Sequence, residues 1–410
     1  MHRTGLWPPP DRSAHRGSSR RRHRDGPAQQ QQVGSPWHHS SSQCNQAPHV
    51  SAAVNSICIF RLSALGDVTH LLPLVQRIRL HAPQIRITWI IGKFEARLVG
   101  DLPGIEFITV DKKQGLGNVW RDLRTTLHGR CFDALLLCQL AARANLLSTA
   151  IRARRRIGYE WAKSKEGHSL FINERITPAT GRHVLDTLYR FGDALGLPDA
   201  AKCWEIPVAV ADHAFAEQHL PGTQATLIIS PCSSHVLRNW SVAGYARVAE
   251  HAIRRHGMRV MLCGGPSALE RETGAAIEQA CAEPLLNLIG RDTLKQACAL
   301  LARATAVLTP DAGPMHIANA MGTPVIGLHA ATDSTRSGPY SDLRWTVDRY
   351  ADAARQFLGR ADRDVRWGKR IEFPGVMDLI RIEAVTERLD ALIATRLIEG
   401  WNTDQSIALH

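Results

Sequence analysis

Two short segments carry residues whose types and spacing could do chemistry together. The first, Arg61-Leu62-Ser63-Ala64-Leu65-Gly66-Asp67, follows a short apolar run and offers a single carboxylate, Asp67. A carboxylate at the end of a strand can take a proton from an attacking hydroxyl. It can equally cap the helix that follows, and the residues alone leave both readings open. Gly66 beside it allows a tight backbone and a close approach to a ligand. The second segment, Asp311-Ala312-Gly313-Pro314-Met315-His316, follows an apolar strand and opens a helix. Gly313 leaves the helix N-terminus bare, where free N–H groups and the helix dipole favour an anion. His316 lies one turn inside, and Asp311 can bond hydroxyls or serve only as a cap.

Three further loops could contribute. Ser233, Ser234 and Arg238 lie in Ser230-Pro231-Cys232-Ser233-Ser234-His235-Val236-Leu237-Arg238. Two hydroxyls and a cation after a strand suit diphosphate oxygens, and an exposed polar loop would read the same way. Gly264-Gly265-Pro266, with Glu270 just beyond, is neither a Walker loop nor a Gly-x-Gly-x-x-Gly fingerprint. It can be a plain tight turn; Gly264 and Glu270 are assigned to the donor side. Arg143 is expected at the end of a strand, facing an acceptor's phosphates. Arg152, Arg154, Arg155 and Arg156 cluster nearby, with a solvated basic face as the alternative.

These loops need a scaffold that points them at one place. Apolar, β-branched runs at 57–60, 85–91, 105–110 and 132–138 alternate with helical periodicity, as over 71–80. The pattern then restarts. Strands are expected at 225–230, 258–263, 285–288, 306–308 and 324–328, and helices at 242–256, 269–281, 293–302 and 314–321. Such alternation predicts an α/β protein of two Rossmann-like, doubly wound domains facing a cleft. Ligands then bind at the carboxyl ends of the strands, so the strand-to-helix loops matter most. A last amphipathic helix is expected over 375–398. The predicted organisation is a disordered basic extension (1–53), an N-terminal Rossmann-like domain (54–215), a C-terminal Rossmann-like domain (222–374) and a final helix and tail (375–410).

Composition narrows the function classes. The 410 residues are 44% hydrophobic and 21% charged, ordinary for a globular protein of two domains. The net charge is +12, of which +5 falls in the first fifty residues. That segment is rich in Arg, Ser, Gln, Pro and His, and specifies no site. A nucleic-acid or membrane arm is the functional alternative. No aromatic platform or nucleic-acid module accompanies it, so no nucleic-acid partner is expected. The nine cysteines include no Cys-x-x-Cys pair, which argues for buried thiols in a reducing compartment and gives a zinc site little support. With no long apolar span and no signal-like leader, the expected location is cytoplasmic, with room for peripheral contact with the inner membrane. The missing Gly-x-Gly-x-x-Gly after the first strand argues against an NAD-dependent oxidoreductase, the alternative for Rossmann-like domains.

Ser-Ala-Leu-Gly-Asp-Val-Thr-His-Leu-Leu-Pro (63–73) and Asp-Ala-Gly-Pro-Met-His-Ile-Ala-Asn-Ala-Met-Gly-Thr-Pro (311–324), in this order and spacing, resemble glycosyltransferase family 9, the ADP-heptose:lipopolysaccharide heptosyltransferases. The resemblance implies a GT-B fold, inversion at the anomeric carbon, and no metal or other cofactor. It implies ADP-heptose as donor and, as acceptor, Kdo on lipid A or a preceding core heptose. Asp67 matches the family's proposed base, with Ser63 and Gly66 beside the acceptor. Ser233, Ser234 and Arg238 match its phosphate-binding positions, and Asp311, Gly313 and His316 match its donor block. Three positions depart from the pattern: Ala312 where Thr or Ser is common, Arg238 where Lys is also common, and Ala64 where a second serine is often found. These departures bear on which sugar is transferred more than on the reaction. Another nucleotide sugar within the family is the alternative donor.

Overall fold

The computed structural model describes residues 54–398. The basic extension expected over 1–53, and the tail beyond 398, lie outside the described residues. Two six-stranded parallel sheets organise the chain. The first contains β1 (Ser56–Phe60), β2 (Arg86–Gly92), β3 (Ile105–Val110), β4 (Phe132–Leu137), β5 (Ala153–Gly158) and β6 (Glu174–Arg175), in the order β3-β2-β1-β4-β5-β6. The second contains β7 (Thr226–Ile229), β8 (Arg259–Leu262), β9 (Leu286–Asn287), β10 (Ala306–Pro310), β11 (Val325–His329) and β12 (Val347–Asp348), in the order β12-β11-β10-β7-β8-β9.

The two orders have the same logic. In the first sheet the chain runs outward from β1 to β3 and returns to the other side at β4. In the second it runs outward from β7 to β9 and returns at β10. The switch points therefore lie between β1 and β4 and between β7 and β10, where crevices open at the carboxyl ends of the strands. Ile57 is in register with Ala134 across the first, and Leu227 with Ala306 across the second. The loops singled out by residue type follow β1, β4, β7, β8 and β10.

Burial on both faces explains why the central strands are continuous apolar runs rather than alternating ones. Ile57 to Phe60 and Leu227 to Ile229 are fully buried. One core is continuous between the two sheets, running from Ile57, Leu74 and Trp89 through Ile228, Val307 and Met315. The outer face of the second sheet packs on Tyr245, Val248, Leu389 and Leu392. Local signals set the helix bounds. Ser241 caps the Val242–His256 helix by accepting the Gly244 N–H at 3.1 Å, and Gly257 ends it at φ 61°, in the left-handed region that suits glycine.

Several expectations change. The last helix begins at Ile382, not 375: Val376–Leu379 is a 3-10 turn that follows Gly375 at φ 79°, and Ile380 is extended. The break is used, because the Ile380 carbonyl accepts the indole N–H of Trp240 at 3.0 Å. The boundary expected at 215 falls inside the Val210–His219 helix, which packs against the Leu294–Arg303 helix. The arginines at 154–156 lie in β5, where Arg154 is exposed and Arg155 and Arg156 are partly buried. Arg155 makes a bidentate pair with Glu174 at 2.7 and 2.8 Å. Arg156 donates to the carbonyls of Phe171, Ile151 and Ser148.

Candidate active site

The β1 loop is built around a buried cation. The Arg61 side chain turns back under its own loop, with Nε donating to the Ser63 carbonyl at 2.7 Å and Nη1 to the Cys138 carbonyl. Its Nη2 pairs with the Asp67 carboxylate. Burial pulls the Arg61 guanidinium down, and the Asp67 charge beside it more than offsets this, so it is held cationic. Asp67 also accepts the Ala64 N–H at 3.2 Å, so part of the capping alternative is realised. Its side chain remains 32% exposed, leaving one edge of the carboxylate open. Asp67 is thus held from behind and accessible in front.

Gly66 lies within the short Leu65–Thr69 helix rather than at a sharp turn. Its missing side chain has a different use. A methyl group there would strike the His316 ring, lying 2.8 Å from Nε2. Gly313 lies beside Leu65, where an added methyl would make only an ordinary contact at 3.5 Å. The two signature segments, some 250 residues apart in the chain, therefore touch, and at Gly66 the contact requires that a side chain be absent. A file of rings continues this contact. His70 packs edge-on to His316 at 4.6 Å and to His183 at 5.1 Å, and His183 meets Tyr340 at 4.9 Å. Burial drives His70 well below its ordinary range and lowers His183 to about 4, so both are neutral.

On the other side of the contact, Ala312 is the N-cap of the Gly313–Ala320 helix and provides no side-chain hydrogen bond. Asp311 is therefore not the cap. Its carboxylate accepts from Ser337 Oγ at 3.1 Å and lies 3.6 Å from His316 Nε2. Burial works to raise this carboxyl, but His316 and His329 outweigh it, and Asp311 is held well below the usual carboxylate range. The result is a fixed negative charge beneath a helix N-terminus whose N–H groups have no side-chain cap.

Arg238 follows β7 and is mostly buried. Its Nη2 donates to Ser234 Oγ at 2.9 Å, and its Nε lies 3.4 Å from Glu372 without forming a hydrogen bond. Burial, then the charge of Arg370, pull its guanidinium down. Ser233 is committed inside the loop, with Oγ donating to the His235 carbonyl at 2.9 Å and its N–H to Asn239 at 2.7 Å. Glu270 closes its loop on itself by accepting the Gly265 N–H at 2.7 Å and the Ser267 hydroxyl at 2.6 Å. Gly264 lies against that same carboxylate. Arg143 is exposed on the half-buried Ala142–Leu147 helix rather than at a strand end, and donates to the Lys112 carbonyl at 2.8 Å.

Residue types alone missed Arg336, Arg370 and Glu372. Arg336 follows β11 on the short Ser334–Ser337 helix and stacks over Trp367 at 4.6 Å. It is close enough to Asp67 and Asp311 for both charges to act on it, and its buried Nε has no hydrogen-bond partner. His316 Nδ1 is likewise buried without a partner. For Arg336, the position after the carboxyl end of β11 was the available signal. Buried donors of this kind carry a desolvation cost that a bound anion would remove.

Comparison with known proteins matches this arrangement to a family. The model of glycosyltransferase family 9 (heptosyltransferase) matches residues 120–357. The chain is 38% identical over 348 residues to the lipopolysaccharide core heptosyltransferase OpsX of Haemophilus influenzae, covering 84% of this chain and 99% of that protein. Among solved structures, the glycosyl transferase family 9 protein of Veillonella parvula superposes with a TM-score of 0.66 at 21% identity, covering 83% and 97% of the two chains. The Escherichia coli ADP-heptose lps heptosyltransferase II superposes with a TM-score of 0.62 at 18% identity, covering 83% and 99%. The fold is that of the GT-B glycosyltransferases.

Proposed function

The chain belongs to glycosyltransferase family 9, and from that premise we propose that it moves a heptose from ADP-heptose to the inner core of lipopolysaccharide, with inversion. The observation that carries this reading is the contact between the two signature segments. It sets a half-open carboxylate, Asp67, across from an uncapped helix N-terminus and two arginines with unpartnered Nε atoms.

Asp67 takes the proton of the acceptor hydroxyl as that oxygen attacks the anomeric carbon. The bond from the anomeric carbon to the diphosphate oxygen breaks, and its electron pair leaves with ADP. Arg238, steadied by Ser234, and Arg336 meet the growing charge on the diphosphate together with the N–H groups at Gly313. Asp311 orients His316 and bonds sugar or ribose hydroxyls instead of phosphate, because a fixed negative charge repels the latter. Ser63 and Gly66 border the acceptor. Ser233, Gly264 and Glu270 shape the donor loops from within. The acceptor is Kdo on lipid A or a preceding heptose. Among the described residues no helix is long and apolar enough to cross a membrane. We place the reaction in the cytoplasm, with the lipid-linked acceptor presented at the inner membrane.

The test is a donor panel. ADP-heptose, UDP-sugars and GDP-sugars are each incubated with the enzyme and lipid-linked core acceptors, and products are read by mass spectrometry. The expected result is a gain of one heptose from ADP-heptose alone. Transfer from another nucleotide sugar, with none from ADP-heptose, would overturn the donor assignment.

A further inference from the structure

The last helix, Ile382–Ile398, packs on the Val242–His256 helix at the outer face of the second sheet, with Val385, Leu389 and Leu392 fully buried. Asp390 faces the Val242–His256 helix. Its Oδ1 lies 2.6 Å from His251 Nε2 and also 2.6 Å from His256 Nε2. Among the described residues these three form a group whose ligand atoms all lie within 4.8 Å of one another. Five residues of ideal helix rotate by about 140°, which would put the two imidazoles on different faces. His256 reaches back because it is the last residue before the left-handed Gly257. The two rings stand 5.7 Å apart at 68° to each other, both aimed at one oxygen.

We propose that His251, His256 and Asp390 form a binding site for a borderline divalent transition metal such as Zn2+, pinning the last helix to the second sheet's outer layer. Two imidazole nitrogens and one carboxylate oxygen are a common protein ligand set for zinc, with water completing the shell. Two surrounding features suit a cation. The site is at the carboxyl end of the Val242–His256 helix, where the helix dipole is negative. The second Asp390 oxygen, Oδ2, lies 3.4 Å from Arg255 Nε. That arrangement leaves Oδ1 for the metal while Arg255 orients the carboxylate from outside, as outer partners of metal ligands do. Neighbouring Arg254 is occupied by Glu283 at 2.7 Å and so does not compete for Asp390. The three side chains are each partly exposed, which gives an ion a way in. The site is built from residues apart from those assigned to transfer, so the metal is structural.

The test uses tag-free full-length protein, stripped with a chelator and titrated with ZnCl2 by calorimetry, with stoichiometry checked by native mass spectrometry. The wild type is expected to bind one zinc tightly and to melt at a higher temperature with zinc than without. The double variant His251→Gln with His256→Gln should lose that event, weakening it by about 100-fold or more, since loss of even an outer partner costs about 10- to 100-fold. Asp390→Asn should weaken it as well. Both variants should keep the wild-type transfer rate and their metal-free melting temperature to within a few degrees. Co2+ bound to the wild type should give the visible absorption of a four- or five-coordinate site. Equal zinc binding by wild type and double variant would assign the metal to other histidines, including those near the N-terminus, and overturn the proposal. Absence of zinc binding to the wild type would do the same.

Discussion

Two loops of the second sheet handle polar groups in opposite ways. After β8, Gly264 to Glu270 is closed on itself: one carboxylate accepts both the Gly265 N–H and the Ser267 hydroxyl. Around β10 and β11 the neighbourhood is open. Arg336 Nε and His316 Nδ1 are buried without partners, and the helix N-terminus lacks a side-chain cap. Two loops rich in small and polar residues read alike in sequence. What separates them is whether the chain satisfies its own donors. A self-satisfied loop is scaffold, while buried donors left over are where a ligand must complete the hydrogen bonding.

That contrast can be broken by mutation. Arg336→Gln removes a cation that the proposed mechanism sets against the leaving diphosphate, and kcat should fall by about 100- to 1000-fold, as for other preorganised charge-stabilising groups. Steady-state kinetics with ADP-heptose checks this; a loss under threefold would return Arg336 to the scaffold. Gly66→Ala drives a methyl into His316 and pushes the two signature segments apart. Transfer should fall by about 100-fold, the scale of an ångström's misplacement, while circular dichroism stays native. Glu270→Gln weakens only a closed loop. It should cost about 1 kcal/mol in denaturant unfolding and leave kcat within about twofold; a larger kinetic loss would make that loop part of the donor site.

The neutral histidines give a gentler test. His183 has its pKa lowered by burial from the ordinary 6.5 to about 4. Between those values the unfolded chain binds a proton that the folded chain does not. Stability is therefore whole above about 6.5 and falls as pH drops toward 4. His183 caps the Val184–Ala194 helix by accepting the Leu185 N–H at 3.1 Å, so His183→Asn, which keeps a capping side chain, should flatten part of that decline in pH-resolved thermal melts.

The parts of this site that could be read from sequence were local. Asp311 stands directly after an apolar strand, Asp67 and His316 lie in the first turns of the helices that follow such strands, and this strand-to-helix arrangement fixes their place without knowledge of the rest of the fold. The reason for Gly66 could not be read this way, because its partner His316 lies in a distant segment. Arg336, Arg370 and Glu372 form no motif, and proximity alone gives them meaning. Three consecutive arginines hid β5, since the groups that neutralise or bond them, Glu174 for Arg155 and the Ser148 carbonyl for Arg156, are brought in by the fold. The start of the last helix was missed because apolar spacing from 376 onward looked helical, while Gly375 and the Trp240 bond to Ile380 interrupt it.

The account rests on Asp67 as the base, and single-turnover transfer by Asp67→Asn tests it most directly. With ADP-heptose affinity measured in parallel, the account predicts a loss of about 100- to 10,000-fold in the chemical step and donor binding within a few fold of wild type. Near-wild-type transfer by this variant would contradict it.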